Sequence, residues 1–115
     1  MKFLVIGETC NDRFCYGTAN RLCPEAPAPV FVPESGVSNS GMASNVYSNL
    51  VAIDNETHKD IPHKNQIDLF TNESMGYKTR YIDSTSNQMF LRVDTDSYTH
   101  CGELPENIEE YDAVV

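Results

Sequence analysis

The feature that most constrains the fold is a short, unbroken apolar run at the start of the chain. Lys2 to Gly7 (KFLVIG) has apolar side chains at consecutive positions and closes with a glycine. Such a run is typical of a strand buried on both faces, as in the parallel sheets of α/β proteins. Glu8 to Arg13 follows as a polar stretch, and we expect it to form a loop at the carboxyl end of that strand. Ligands bind at this edge in open α/β sheets, so the sequence predicts an α/β fold with a ligand site nearby.

A second informative segment runs from Ser40 to Leu50 (SGMASNVYSNL). Apolar side chains recur there at helical spacing, at Met42, Val46, Leu50 and Val51. They predict a helix of about three turns that ends near Ile53. Its first N–H groups would face a bound ligand, Gly41 would let that ligand approach the backbone, and Asn45 could donate and accept hydrogen bonds. A plain turn glycine and an exposed helical asparagine are the alternatives.

The rest of the chain alternates short apolar runs with polar stretches. Phe14, Tyr16 and Gly17 indicate a short strand and a turn. Val30 to Val32 lies among prolines, which suits an edge strand because proline cannot donate to a sheet ladder. Two β-rich runs separated by Ser, Thr and Asn predict a hairpin. We further expect an exposed loop over Asp54–Asn65, a strand over Ile67–Thr71, hairpin strands at Tyr81–Ile82 and Met89–Val93, an acidic loop over Asp94–Glu110 and a strand over Tyr111–Val115.

Composition limits the range of functions. The chain has 115 residues, the size of one small domain, and a formal net charge of −9 from 17 acidic and 8 basic residues. The clustered Lys and Arg that bind nucleic acids and anionic membranes are missing from the sequence, so we expect no nucleic-acid partner and no membrane partner. Its apolar runs are also too short for a bilayer span or a signal peptide, which predicts a cytoplasmic location.

The cysteines do not form a recognisable metal-binding pattern. Their positions, with no C-x-x-C pair among them, are Cys10, Cys15, Cys23 and Cys101. A zinc site that combines them with His58, His63 or His100 would lack the tight spacing of zinc knuckles. We therefore expect free thiols and no metal site.

Charged side chains supply the candidate ligand contacts. Asp12 lies just beyond the first predicted strand, and its carboxylate could accept two sugar hydroxyls at once. A surface aspartate that caps a turn is the alternative. Lys78, Arg80 and Arg92 concentrate positive charge around the predicted hairpin and could bind a phosphate or carboxylate. Cross-strand pairing with Asp83 and Asp94 would explain the same charges without a ligand.

Three motifs resemble those of the PfkB-type (ribokinase-like) carbohydrate kinases. The nearest branch is the kinase domain of bifunctional heptose-phosphate kinase/adenylyltransferases, the ADP-heptose synthases, which reads G-D-x-x-x-D-R-Y-x-x-G, R-x-S-P-E-A-P-V-P-V and G-G-A-A-N-V-A-x-N. The matching residues are Gly7, Glu8, Asp12, Arg13 and Gly17; Arg21, Pro24, Glu25, Ala26, Pro27, Pro29 and Val30; and Gly41, Ala43, Asn45, Val46 and Asn49. Farther on, KTRYIDSTSNQMFLRVD resembles the K-T-R-V…N-Q-Q-M-L-R-V-D hairpin of the family.

The resemblance implies a partial ribokinase-like fold, made of N-terminal strands of the central sheet, one helix and a β-sheet lid. Residues 1–115 would be an incomplete N-terminal portion of a sugar kinase domain. A complete member transfers phosphate from ATP, with Mg²⁺, to a sugar hydroxyl. By the same resemblance Asp12, Gly41 and Asn45 hold hydroxyls of a heptose-like sugar phosphate, and Arg92 and Lys78 lie on its lid side.

Departures from the family pattern shape the functional expectation. Met42 replaces the second glycine of the G-G motif, and Glu8 replaces the usual Asp. The family's G-A-G-D motif, which supplies the catalytic base, does not occur in these 115 residues. We therefore expect a sugar-binding portion with no catalytic residue and no bound cofactor, inactive unless a complementing C-terminal half is supplied. A non-catalytic sugar-binding or dimerisation module, which forms a homodimer through the lid, and a degenerate remnant are the alternatives.

Overall fold

The structure is a computed structural model, and it describes residues 1–60, 65–95 and 103–115. The strands are β1 (Lys2–Ile6), β2 (Thr9–Leu22), β3 (Pro29–Met42), β4 (Gln66–Phe70), β5 (Gly76–Asp83), β6 (Met89–Thr95) and β7 (Ala113–Val114). One α-helix, α1 (Ala43–Thr57), and a short 3₁₀ helix (Ile108–Glu110) complete the described elements. The predicted α/β class is confirmed. His63, His100 and Cys101 lie outside the described residues.

The chain forms two compact units. The first unit contains residues 1–10, 40–60, 65–76 and 103–115, and the second contains residues 11–39 and 77–95. Two long strands, β2 and β3, and the start of β5 pass from one unit to the other. In the described residues no helix has the length and apolar character needed to cross a bilayer.

The first unit is built on a parallel sheet in the order β4-β1-β7. The central strand β1 pairs in parallel with both neighbours, and its Leu4 and Val5 are only 1% exposed. Helix α1 packs against β1 and β4. The prediction of a buried parallel strand at Lys2–Gly7 is confirmed, because the consecutive residues Leu4 and Val5 point to opposite faces of the sheet and both are buried. The strand expected over Ile67–Thr71 is confirmed as β4. The strand expected over Tyr111–Val115 is reduced to Ala113–Val114.

Helix α1 differs from its prediction at its carboxyl end. It continues to Thr57, so the expected loop over Asp54–Asn65 is wrong in its first four positions. Asp54 is buried, and its carboxylate accepts one hydrogen bond from Asn65 at 2.6 Å and contacts His58 at 2.9 Å. These partners satisfy a polar side chain that sequence periodicity places outside the helix.

The second unit is a sheet in the order β3-β2-β5-β6. The β5–β6 hairpin is antiparallel, as predicted, with a bulge between Tyr81 and Ile82, and β3 is an edge strand, as expected for the proline-flanked segment. Asp12 was expected in a loop and lies within β2 instead. Gly17 was expected in a turn and is buried in the middle of the same strand. A Cβ at Gly17 would lie 2.7 Å from the Phe31 ring, so this glycine makes room for a neighbouring aromatic side chain.

Candidate functional site

The start of α1 carries the first group of predicted site residues. Gly41 is buried at the end of β3, and Asn45 is exposed in the first turn of the helix. The positive backbone angle falls on the residue between them: Met42 is the N-cap, with φ 56° and ψ −132°. The N-cap side chain makes no capping hydrogen bond, while the Ala43 N–H donates to the carbonyl of Glu8 at 3.0 Å. The unusual conformation expected of a glycine is therefore adopted by a methionine.

A cavity of about 280 Å³ opens beside this helix start, at the carboxyl end of β1. Its walls are Val5, Ile6, Gly7, Glu8, Met42, Ala43, Val46 and Val115. The Cβ that any larger residue would add at Gly7 would lie 3.2 Å from the Cβ of Ala43, so this glycine allows a close approach of α1 to β1. Gly41 and Asn45 are not among the wall residues. The cavity nevertheless lies where α/β sheets place their ligands.

A buried polar cluster fixes the loops at the same edge of the parallel sheet. The Oδ1 of Asn72 accepts hydrogen bonds from the Thr9 N–H at 2.8 Å, from the Thr9 hydroxyl at 3.2 Å and from the Thr71 hydroxyl at 2.7 Å. Its amide donates to the carbonyl of Ser74. Sequence reasoning missed this cluster, because Asn, Thr and Ser after a strand are equally typical of an exposed turn.

In the second unit, Asp12 is paired with a residue from another strand. The Arg80 guanidinium donates from Nη1 to the Asp12 Oδ1 at 2.5 Å, and the two side chains are 23% and 22% exposed. The same guanidinium lies 5.0 Å from the ring centroid of Phe14. Arg80 was noted in the sequence as part of a positive cluster, but nothing in the spacing showed that it would meet Asp12.

Arg92 and Lys78 lie close to an aspartate of the same hairpin. Arg92 makes two hydrogen bonds of 2.7 Å to the carboxylate of Asp94, and Lys78 is the register partner of Asp94 across the hairpin. The hydrogen bond from Arg92, with the charges of Arg92, Lys78 and Arg80, lowers the pKa of Asp94 below its ordinary value. Arg92 and Asp94 lie two residues apart on β6, so their ion pair forms within one strand. Lys78 faces Asp94 across the hairpin, and Asp83 accepts hydrogen bonds from Ser86 in the hairpin turn.

These charges share one face of the hairpin. Residues that are register partners in an antiparallel pair project to the same side, and every second residue returns to it. Lys78 opposite Asp94 and Arg80 opposite Arg92 therefore lie together. We call this group, with Asp12, the charged face of the second unit. Gly41 and Asn45 belong to the first unit.

Comparison with known proteins relates the chain to one group of enzymes. No family model matches the chain. It is 31% identical over 119 residues to the bifunctional protein HldE of Paramagnetospirillum magneticum, a match that covers 87% of this chain and 24% of that protein. HldE of Methylococcus capsulatus is 44% identical over 55 residues, covering 48% of this chain and 12% of the relative. The chain thus spans about a quarter or less of the length of these relatives.

A structural comparison gives a weaker likeness. A putative ribokinase from Agrobacterium tumefaciens aligns with 98% of this chain and 43% of its own, at 15% identity and a TM-score of 0.48. The relationship to HldE rests on sequence and covers most of the chain. The chain is therefore related to the PfkB-like carbohydrate kinases, and the relationship covers an N-terminal portion of such a kinase.

Proposed function

We propose that this chain binds a heptose-like sugar phosphate, as the substrate-holding portion of an ATP-dependent carbohydrate kinase. The observation that carries the proposal is the Asp12–Arg80 pair. One carboxylate oxygen of Asp12 receives the guanidinium hydrogen bond, which orients the group. An ionised carboxylate has about four acceptor sites, so an oriented one retains the capacity to accept vicinal sugar hydroxyls. The sequence relationship to HldE supports the sugar class.

The other candidate residues take the roles that the family resemblance implies. Asn45 presents an exposed amide in the first turn of α1, and Gly41 precedes it at the end of β3. We assign both to hydroxyl contacts. Arg92 and Lys78 are assigned to the phosphate, since guanidinium and ammonium groups make charge-assisted hydrogen bonds with it. Because Arg92 already donates two hydrogen bonds to Asp94, a phosphate must compete with that carboxylate for the same donors.

Phosphoryl transfer needs more than these residues. It depends on ATP, on Mg²⁺ and on groups that stabilise charge around the moving phosphate. The G-A-G-D motif, to which the family resemblance assigns the catalytic base, is absent from these 115 residues. We therefore assign no ATP or Mg²⁺ contact to this portion. Turnover would require the motif from a longer chain or from a second polypeptide.

Isothermal titration with a heptose 7-phosphate tests the proposal. We expect saturable binding by the chain and a loss of affinity of at least about tenfold in Asp12→Asn, because the amide replaces an acceptor with a donor. Asp60→Asn is the matched control, since Asp60 is an exposed aspartate outside the charged face. Adding ATP and Mg²⁺ should release no ADP. Equal affinity in wild type and Asp12→Asn, or no binding by the wild type, would contradict the proposal.

A second candidate function is dimerisation through the second unit. Strand β6 is the other edge of its sheet, and it carries exposed apolar side chains: Met89 at 53%, Phe90 at 44%, Leu91 at 56% and Val93 at 40%. Exposed apolar edges favour pairing with a second chain. We propose a homodimer as the alternative role, tested by light scattering of the wild type and of Leu91→Lys. A monomeric wild type would exclude it, and Ile53→Lys, at a 63% exposed position on α1, is the control.

A further inference from the structure

Arg13 lies on the face of the second unit's sheet that is opposite to the charged face. Successive residues of a strand project to opposite faces, so Tyr77 and Tyr81 of β5 point away from the side that carries Arg80. The Arg13 guanidinium lies over the Tyr77 ring, 3.7 Å from its centroid, and so belongs to the same side as that ring. We call this side the reverse face of the second unit. The proposed sugar contacts use none of its side chains.

Arg13 is held in place without being neutralised. The tyrosine ring orients the planar guanidinium, and among the described residues no Asp or Glu side chain forms an ion pair with it. Arg80 and Arg92, by contrast, each pair with an aspartate. An oriented guanidinium presents parallel N–H groups that match the two oxygens of a carboxylate or phosphate. The reverse face therefore offers a positioned donor for an oxyanion from solution.

Two cavities of about 380 Å³ each adjoin on the reverse face, because Tyr81 lines both of them. The first cavity includes Arg13 and Thr79. The second is lined, besides Tyr81, by apolar residues only: Ala19, Ala28, Pro29, Phe31, Phe90 and Leu91. The Phe31 ring meets Tyr81 and Phe90 edge to face, with centroids 5.3 and 5.9 Å apart, and these contacts fix the aromatic wall. Every wall residue of both cavities belongs to the second unit.

We propose that the two cavities together bind a small amphipathic carboxylate, with the carboxylate on Arg13 and the apolar chain against Phe31. The rise from Tyr77 to Tyr81 is about 13 Å, so an acyl chain of medium length reaches from the guanidinium into the aromatic cavity. One guanidinium neutralises the single charge of a carboxylate, whereas a phosphate monoester brings about two charges to a chain of net charge −9. Apolar walls favour a hydrocarbon chain, because a polar one would lose its water without gaining a partner.

Isothermal titration with octanoate tests the proposal. We expect saturable binding, with 1-octanol (the chain without the charge) and acetate (the charge without the chain) each at least about tenfold weaker. Arg13→Gln should weaken octanoate at least about tenfold and leave the affinity for 1-octanol unchanged, because only the charged hydrogen bonds are lost. Arg21→Gln is the matched control, since Arg21 is an exposed arginine of the same strand and lies outside both cavity walls.

The contrary outcomes are distinct. Octanoate affinity that is equal in the wild type and Arg13→Gln, or 1-octanol that binds as tightly as octanoate, would overturn the role of Arg13. Absence of saturable octanoate binding would overturn the proposal, and a dimer in light scattering that binds no octanoate would assign the aromatic cavity to a second copy of the chain. Failure of the heptose titration would leave this inference standing, because the two sites lie on opposite faces and share no residue.

Discussion

Arg80 on β5 and Asp12 on β2 are joined by a hydrogen bond of 2.5 Å, although 68 positions separate them in the chain. Arg80 is also the register partner of Arg92 on β6, so two guanidinium groups lie side by side on the charged face. Like charges directly opposite each other destabilise an antiparallel pair. Asp12 forms an ion pair with Arg80 and Asp94 forms one with Arg92, and the two carboxylates offset this repulsion.

Removal of Asp12 should therefore destabilise the second unit, because the repulsion between Arg80 and Arg92 would no longer be offset. For Asp12→Ala we expect the free energy of unfolding to fall by about 1–3 kcal/mol, the range for a charged hydrogen bond whose partner stays half-buried. Urea denaturation at low and at high salt measures this loss of unfolding free energy. The loss should be smaller at high salt, because salt screens the repulsion between the two arginines. The control is Glu56→Ala, which removes the exposed Lys59 pair and should cost less than about 0.5 kcal/mol. A salt-independent loss would contradict this explanation.

Gly17 should tolerate no side chain. A Cβ there would collide with the Val32 carbonyl and lie 2.7 Å from the Phe31 ring, so strands β2 and β3 would have to separate. We expect Gly17→Ala to lower the free energy of unfolding by at least about 2 kcal/mol, as for overpacked cores. Gly36→Ala is the matched control, since its Cβ would lie 3.2 Å from the Phe14 carbonyl and the strand could yield slightly. Equal effects of the two changes, measured by chemical denaturation, would refute the packing argument.

Asn72 should be a stability residue of the first unit. It is 9% exposed, and its Oδ1 accepts from two groups of Thr9 and one of Thr71. In Asn72→Ala the buried Thr9 N–H loses its acceptor, at an expected cost of about 1–3 kcal/mol. Hydrogen exchange of the Thr9 amide should accelerate in the variant. Asn20→Ala, at an exposed position, should change neither quantity, and unchanged protection of Thr9 in Asn72→Ala would contradict the role.

Acid should selectively weaken the hairpin through Asp94. The hydrogen bond from Arg92 lowers the pKa of Asp94 below its ordinary value of 3.8. A carboxyl whose pKa is lower in the folded than in the unfolded state adds stability above its ordinary pKa, and that stability is lost as the pH falls through the lowered value. Wild type should therefore be more stable than Asp94→Asn at about pH 6, with the difference vanishing near pH 2.

Nuclear magnetic resonance can follow the Asp94 carboxyl directly as the pH falls. Its titration midpoint should rise towards 3.8 in Arg92→Gln, which removes the largest cause of the shift. Asp83 is an internal reference, because its lowered pKa depends on Ser86 and should not respond to a change at Arg92. A titration midpoint of Asp94 that is unchanged by Arg92→Gln would show that the two hydrogen bonds from Arg92 do not stabilise the ionised carboxylate.

Local signals predicted part of this fold correctly. The apolar run of β1, the prolines beside β3 and the turn residues between β5 and β6 each act over a few positions, so sequence reveals them. The bounds of β2 were wrong for a physical reason: its polar start, from Thr9 to Asp12, is stabilised by partners far away in sequence. Asn72 receives the Thr9 N–H, and Arg80 holds Asp12.

The candidate site shows the same limit. Family motifs identified Asp12, Gly41 and Asn45, but motif matching gives no geometry, and the Asp12–Arg80 pair follows from strand order in the second unit. Sequence reasoning likewise placed the close approach of a ligand to the backbone at Gly41, and it gave no backbone angle. The positive φ at this helix start belongs to Met42, where β3 ends and the chain turns into α1. Nothing in the residue pattern indicates that a methionine adopts this conformation.

Met42→Gly should make the protein more stable, although it deletes an apolar side chain. A non-glycine residue at φ 56° and ψ −132° carries a strain of about 1–3 kcal/mol, and glycine adopts that conformation at no steric cost. The greater entropy of glycine in the unfolded chain offsets about 0.5–1 kcal/mol of the relieved strain. We therefore expect a net increase in the free energy of unfolding of about 1 kcal/mol. Met42→Ala keeps the strain and should give no increase. At Met89, a residue of β6 without a positive φ, the same change to glycine should destabilise the protein. A loss of stability in Met42→Gly equal to that in Met89→Gly, measured by urea denaturation, would show that Met42 is not strained.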